Sequence, residues 1–220
     1  MPPQPGDDWQ GRGFRVRAVG GMKMGLVMAT DTGARADGDA DLLADYARGD
    51  RAAARALTVR LTPVALRVAQ RMLGDAAEAE DVAQEAMLRL WRAAPGWREG
   101  EAKVTTWLYR VTANLCTDRL RRRRTVALDA VAEPEDGRPG AVQGMIAADR
   151  MAALQAALDA LPDRQRQAVV LRHLEGLSNP EIAEVMEIAV EAVESLTARG
   201  KRALAAALDG RRAELGYHDG

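Results

Sequence analysis

The stretch SNPEIAEVMEIAVEAVESL, residues 178–196, decides the fold. Ser178-Asn179-Pro180-Glu181 has the capping-box form: the serine side chain accepts from the N–H of the glutamate, the glutamate reaches back, and proline sits in the first turn, where no intrahelical N–H bond is lost. The spacing predicts a short helix from there through Met186. Glu187-Ile188-Ala189 allows a tight turn, and a final helix is expected from Val190 to about Leu208. Ile182, Val185 and Met186 would then face Val193 and Leu196. Two helices joined by so short a turn make a helix-turn-helix.

Upstream, Met151, Leu154 and Leu158 form an amphipathic stripe. Leu161-Pro162-Asp163 is expected to end that helix and cap another, which runs to about Leu174 and is closed by Gly176. Residues 125–148 contain Glu133-Pro134-Glu135-Asp136-Gly137-Arg138-Pro139-Gly140. So long a turn-rich segment does not suit the inside of a compact domain and reads as a flexible interdomain linker.

Four helical runs precede the linker. Asp39-Ala40-Asp41 suits the positive end of a helix dipole and is followed by Leu42, Leu43 and Tyr46 at helical spacing. After a break at Gly49-Asp50, a second run carries Leu57, Leu61, Val64, Leu66 and Val68; Pro63 is expected to bend it and Gly74 to cap its end. Asp75 to Glu78 repeats the capping-box form and opens a third helix through Trp91, with Leu88 and Leu90 expected to be mostly buried. Pro95-Gly96 interrupts, and Trp97 to about Val104 reads as a loop. Thr105 or Thr106 then caps a helix with Trp107, Leu108, Val111, Leu115 and Leu120 on its apolar face, running into Arg121 to Arg124. Residues 1–38, loaded with Gly, Pro and Asp, read as an unstructured extension, with Met22, Met24 and Met28 as alternative starts.

The chain of 220 residues carries a formal net charge of −1. A uniformly basic nucleic-acid binder is thereby excluded, but a total hides segregation. Between Arg98 and Arg124 stand Arg98, Lys103, Arg110, Arg119, Arg121, Arg122, Arg123 and Arg124 against only Glu99, Glu101 and Asp118. Strand formers never gather into alternating runs, which points to an all-α protein. The lone cysteine, Cys116, excludes an internal disulfide framework and reads as a small buried hydrophobe. With only His173 and His218 beside it, no zinc-ligand spacing exists, and no phosphate loop or nucleophile-base pair of a usual form is present. Neither a cofactor nor enzymatic chemistry is expected. No apolar run reaches membrane-helix length, and Met24 to Ala29 is too short for a signal-peptide core, so a cytoplasmic protein without membrane insertion is expected.

Three ordered motifs resemble the sigma factors of the sigma-70 family. Asp75 to Trp91, with Ala79-Glu80-Asp81-Val82-Ala83-Gln84-Glu85, resembles the part of region two that grips the clamp helices of RNA polymerase. Thr106-Trp107-Leu108-Tyr109-Arg110 through Ala113-Asn114-Leu115-Cys116 and Asp118-Arg119-Leu120-Arg121-Arg122 resembles the promoter-melting, minus-ten-reading helix. Leu161-Pro162-Asp163-Arg164-Gln165-Arg166 through Glu181-Ile182-Ala183 resembles the start of region four, which reads the minus-thirty-five element. The lack of a further domain between these regions marks the small extracytoplasmic-function (ECF) class.

The resemblance implies two small helical domains: region two at 39–124 and region four at 149–212, joined by 125–148, with 213–220 as a tail. It implies promoter-specific initiation with core RNA polymerase and promoter DNA as partners, and an anti-sigma factor in a stress or envelope-signal response. Polymerase binding falls to Glu80, Asp81, Gln84, Glu85 and Arg89, the pair Asp81 and Glu85 sharing a helix face. Read from the pattern of charge alone, these residues are an ordinary solvated acidic face.

Single-stranded bases are held by aromatic stacking and base-edge hydrogen bonds, with cations tracking the backbone. Lys103, Thr105, Thr106, Tyr109, Arg110 and Asn114 supply such groups for the minus-ten element, beside Trp97. Arg119, Arg121, Arg122 and Arg123 supply phosphate neutralisation. The apolar spacing of Trp107 places it in the core instead. Minus-thirty-five contacts fall to Ser178 and Asn179 at a helix N-terminus and to Ser195, Thr197, Arg199, Lys201 and Arg202 on the following helix. The chain departs from its relatives in Glu187, Glu194 and Leu196, where they place a glycine and early basic residues. Two rivals stand beside this reading: a free-standing helix-turn-helix regulator, and an interaction module without DNA reading.

Overall fold

The computed structural model describes residues 32–98, 103–129 and 142–209, and within them every regular element is helical. Helix α1 (Thr32–Ala47) begins before the expected start near Asp39, and residues 1–31 lie outside the described residues. Gly33 and Gly38 argue against a helix here, but Ala34, Ala36 and Ala40 favour it. Asp39 is therefore no terminal dipole partner. It is 3% exposed and pairs with Arg60 of the next helix at 3.0 Å. Burial raises its carboxyl above the usual range, with Arg60 pulling the other way.

Helix α2 (Arg51–Leu73) starts where Asp50 accepts from the N–H groups of Ala52 and Ala53, and ends on Gly74 at φ +68°. It continues across Pro63. Helix α3 (Ala76–Ala93) is opened by Asp75, whose carboxylate accepts from the N–H of Glu78 at 2.8 Å. The return half of that box is not made, because the Glu78 carboxylate turns to Arg123 at 2.9 Å and Arg119 at 4.0 Å. After a short 3-10 turn at Ala94–Gly96, helix α4 (Val104–Asp129) begins before both threonines, so neither can cap it. Thr105 and Thr106 lie in its first turn instead, with Thr106 buried.

The expected linker is trimmed at both ends. Residues 125–129 belong to α4 and 142–148 to α5 (Val142–Asp159); 130–141, which hold Pro134, Gly137, Pro139 and Gly140, lie outside the described residues. Helix α6 (Asp163–Val169) follows Pro162 with no side-chain cap, so Asp163 contributes a first-turn charge rather than the expected cap and pairs with Arg124 of α4. The chain widens into a π turn at Val170–Leu174 and leaves through Gly176 at φ +78°. Helix α7 (Asn179–Met186) carries the complete capping box of Ser178 and Glu181, and α8 (Val190–Asp209) follows the turn as expected.

Burial divides into three clusters. Leu43, Leu57, Leu61, Leu90 and Leu108 join α1 to α4, while Leu171, Ile182, Val185 and Val193 hold the helix-turn-helix. The middle cluster belongs to both halves: Val68, Met72, Val82, Cys116 and Leu120 pack with Leu158, Leu161, Val169 and Val170. Arg166 of α6 is buried in this seam and donates to the carbonyls of Met72 and Asp159, both at 2.7 Å. Two expected core residues are not core. Leu88 is 48% exposed because it lies one residue round the helix from Met87, and Met151 is 66% exposed while Ala153, Ala157 and Leu158 carry the buried face of α5.

Candidate nucleic-acid interface

Two surfaces of the first half gather the residues singled out by chemistry. Between α3 and α4 runs an open groove of about 390 Å³ lined by Asp81, Gln84, Glu85, Leu88 and Arg89 on one side and Leu115, Asp118, Arg119 and Arg122 on the other. Glu80 is exposed outside it. The groove is less acidic than the α3 sequence suggests. Arg89 donates to Glu85 at 2.8 Å along the helix, and Arg119 reaches Asp81 at 3.5 Å. Among its lining residues is the exposed Leu88, the one apolar group that α3 contributes there.

The second surface surrounds the start of α4. Lys103, Thr105, Thr106 and Tyr109 line a cavity of about 450 Å³ with Asp39, Arg60, Leu61 and Val64; its far wall is Glu175, Gly176, Leu177 and Glu181 from the second half. Tyr109 is half-buried, its hydroxyl 3.5 Å from a Glu175 oxygen. Burial foremost, then the Glu175 charge, pushes its phenol up to about 12. Arg110 donates to the Glu184 carbonyl at 2.7 Å and pairs with Glu187 at 3.2 Å. Trp107 packs in the core as its spacing requires, and Trp97 meets it edge-on at a centroid distance of 6.0 Å, so both indoles serve packing.

Farther along α4, Asn114, Arg121 and Arg122 are exposed. Arg123 is not part of a free cationic strip: it donates to Glu78 and to the Leu73 carbonyl, fastening α4 to the α2–α3 junction. Arg121 pairs with Asp118 one turn back. Cys116 is fully buried, and burial drives its thiol up to about 12.

In the second half, Ser178 is committed to its box. Its N–H and hydroxyl donate to Glu181 at 2.9 and 2.7 Å, which holds the Glu181 carboxyl below the usual carboxylate range. Asn179 is half-buried beside it. On α8, Ser195, Arg199, Lys201 and Arg202 are exposed, and Arg199 folds back onto the Ser195 hydroxyl at 2.9 Å. Thr197 turns its hydroxyl inward. Gly200 allows α8 to lie against α6, since a Cβ there would stand 2.6 Å from Val169. Sequence reasoning missed Glu175, Arg67 and Arg71, which form a cluster across the two halves at 2.7 and 3.3 Å. No local signal marks such a pairing. Among the described residues no group of acidic, His or Cys side chains could hold a metal ion, and no helix is long and apolar enough to cross a membrane.

Residues 57–126 match the family description Sigma-70 region 2, and residues 151–204 match Sigma-70, region 4. The ECF RNA polymerase sigma factor SigE of Mycolicibacterium smegmatis is 36% identical over 146 residues, covering 63% of this chain and 54% of that one. The RNA polymerase sigma-H factor of Pseudomonas aeruginosa is 33% identical over 181 residues (77% and 93%), and SigM of Mycobacterium tuberculosis is 36% identical over 170 (76% and 83%). This chain thus spans about half the length of the first relative and most of the other two. A solved structure of CnrH in complex with the cytosolic domain of CnrY superimposes with a TM-score of 0.60 at 28% identity, covering 78% of this chain and 97% of that one. The sigma factor RpoE in complex with the anti-sigma factor NepR from Bartonella quintana shares the fold, with a TM-score of 0.56 at 19% identity.

Proposed function

The chain belongs to the extracytoplasmic-function sigma factors of the sigma-70 family, and we propose on that premise that it recruits core RNA polymerase through the α3–α4 groove and directs it to particular promoters. The observation that carries this is the groove itself. An exposed leucine that lines the groove with Asp81, Gln84, Glu85 and Arg89 offers a helix of mixed polarity both apolar contact and charge complementarity.

Residues 39–124 act as the polymerase-binding and minus-ten module, and 149–212 as the minus-thirty-five module. The minus-ten strand is taken by Lys103, Thr105, Thr106, Tyr109, Arg110 and Asn114, with Arg119, Arg121 and Arg122 against phosphates; Arg123 contributes by holding α4 in place. The Ser195, Arg199 and Arg202 face of α8, with Lys201 beside it, reads the duplex farther upstream. The protein supplies specificity in the cytoplasm, and the bond-making chemistry belongs to the polymerase. CnrH is described in complex with the cytosolic domain of CnrY, and RpoE with the anti-sigma factor NepR, and these complexes support an anti-sigma protein as a partner here.

Run-off transcription with purified core polymerase across a genomic promoter library tests the reading. Specific start sites that appear only with this chain are expected. Duplex binding by the chain without polymerase, together with no initiation in the library, would replace it with a free-standing helix-turn-helix regulator.

A further inference from the structure

The outward face of α8 is set by what the helix buries. Val193 and Gly200 are turned inward, with Leu196 and Thr197 half-buried beside them. Glu191, Glu194, Ser195 and Ala198, spaced three and four residues apart, therefore share the exposed side of the first half of the helix. Glu191 lies in the first turn, where a carboxylate complements the helix dipole. Glu194 lies beyond that turn and has no such role. No hydrogen bond or ion pair joins it to another described residue. The helix positions within its reach offer no cation: Val190, Thr197 and Ala198 are uncharged, and Glu191, three residues back, repels it. The neighbouring Ser195 hydroxyl is already taken by Arg199 at 2.9 Å. Glu194 is thus the uncommitted polar side chain that residues 193–198 turn outward, and the stability of the fold does not account for an acid there.

Base chemistry does account for it. An ionised carboxylate only accepts hydrogen bonds. In the major groove, cytosine presents its N4 amino group as a donor with no acceptor of its own beside it. Adenine sets N7 next to its N6 donor, guanine presents N7 and O6, and thymine presents O4 and a methyl group, so the other three bases each turn an acceptor toward a carboxylate.

We infer that Glu194 is a specificity-determining residue of the second module and accepts a hydrogen bond from the N4 amino group of a cytosine in the upstream promoter element. The inference rests on the assignment of α8 as the helix that reads that duplex; Glu194 falls within the residues matched to region 4, and the N-terminal half of such a helix meets base edges. Arg199, Lys201 and Arg202 follow within about two turns, all exposed. They take the phosphates, which offsets the repulsion that a carboxylate meets in the groove.

The test is run-off transcription by core polymerase and the full chain on templates in which each base pair of the upstream element of one active promoter is varied in turn. The wild type is expected to prefer cytosine at one position by about tenfold over each other base. Glu194→Gln is expected to move the preference at that position to adenine, because a glutamine amide both donates and accepts and so matches N6 and N7. Glu194→Ala is expected to lose discrimination there, and both variants keep the preferences at the other positions. Both changes fall on an exposed, unbonded side chain, so neither threatens the fold. N4-methylcytosine at the preferred position puts a methyl group in place of the major-groove N–H while pairing with guanine is kept. It is expected to cost the wild type about tenfold and Glu194→Ala nothing.

Base preferences identical in the wild type and both variants overturn the inference. So does a gain by Glu194→Gln that is equal on every template, because the carboxylate would then only repel phosphates. Either result leaves promoter-specific initiation in place. A wrong functional assignment instead gives no specific start site with the wild type on any template, and the inference falls with it.

Discussion

Glu187 shows how one residue departs from what its local position prefers. It closes α7 in the left-handed region, where its N–H bonds to the Ala183 carbonyl, at a place that a glycine would fill without strain. For an L residue that conformation costs about 1 to 2 kcal/mol. The Arg110 pair offsets little of it, because the Glu187 side chain is mostly exposed and such pairs are worth about 0 to 1 kcal/mol. Comparing two substitutions separates strain from charge: Glu187→Gln removes the charge and keeps the Cβ, whereas Glu187→Gly removes both. Urea titration is expected to find the glycine variant more stable than the glutamine variant by about 1 kcal/mol. Equal midpoints would show that the turn is unstrained. The residue was visible in the sequence as an anomaly, a glutamate where relatives carry glycine. Its partner was not, because Arg110 lies on another helix far along the chain.

At the scale of elements, helix ends were legible wherever the cap is local. Asp50, Gly74, Gly176 and the Ser178 box all stand where the pattern puts them. Expectations failed where a side chain had a stronger distant partner, as Glu78 with Arg123 and Asp163 with Arg124. The box on α7 makes a test with a pH signature. Ser178→Ala should destabilise the chain by about 1 kcal/mol near neutral pH. The Glu181 carboxyl is held below its ordinary value, so this stabilisation is present above the unfolded value of about 4.3 and is lost as pH falls through the lower folded one. The wild type and variant are therefore expected to converge in urea titrations at acid pH; a constant difference would detach the serine from the carboxylate. The α6–α8 contact makes a second test. Gly200→Ala gains roughly 1 kcal/mol of helix propensity. It also places a methyl 2.6 Å from Val169 Cγ2 and 3.2 Å from the Gln165 carbonyl. Overpacking of about 1 to 3 kcal/mol wins, so a lower urea midpoint is expected, and a higher one would show that α8 can shift freely.

For the whole molecule, the two-module plan was readable and the seam between the modules was not. A run holding Pro134, Gly137, Pro139 and Gly140 announces a connection between units, but a connection carries no information about whether the units touch. The apolar faces of α2 and α5 each read as the inside of their own bundle, and only the fold turns part of both into one shared core with Arg166 inside it. Exposure of Leu88 was hidden for the opposite reason: a leucine beside Met87 and Leu90 looks like more of the same stripe. That misreading leads to the most direct test of the assigned surface. A side chain 48% exposed contributes little to stability, so Leu88→Ala should shift the urea midpoint by less than about 0.5 kcal/mol. An exposed leucine lining a groove rich in charged side chains is placed as an interface anchor, and truncating it should weaken binding to core polymerase by about tenfold, equivalent to about 1.4 kcal/mol. Titration of labelled chain with core enzyme reads this directly. Unchanged polymerase affinity in a folded Leu88→Ala chain would move the grip off the α3–α4 groove and onto another face of the first module.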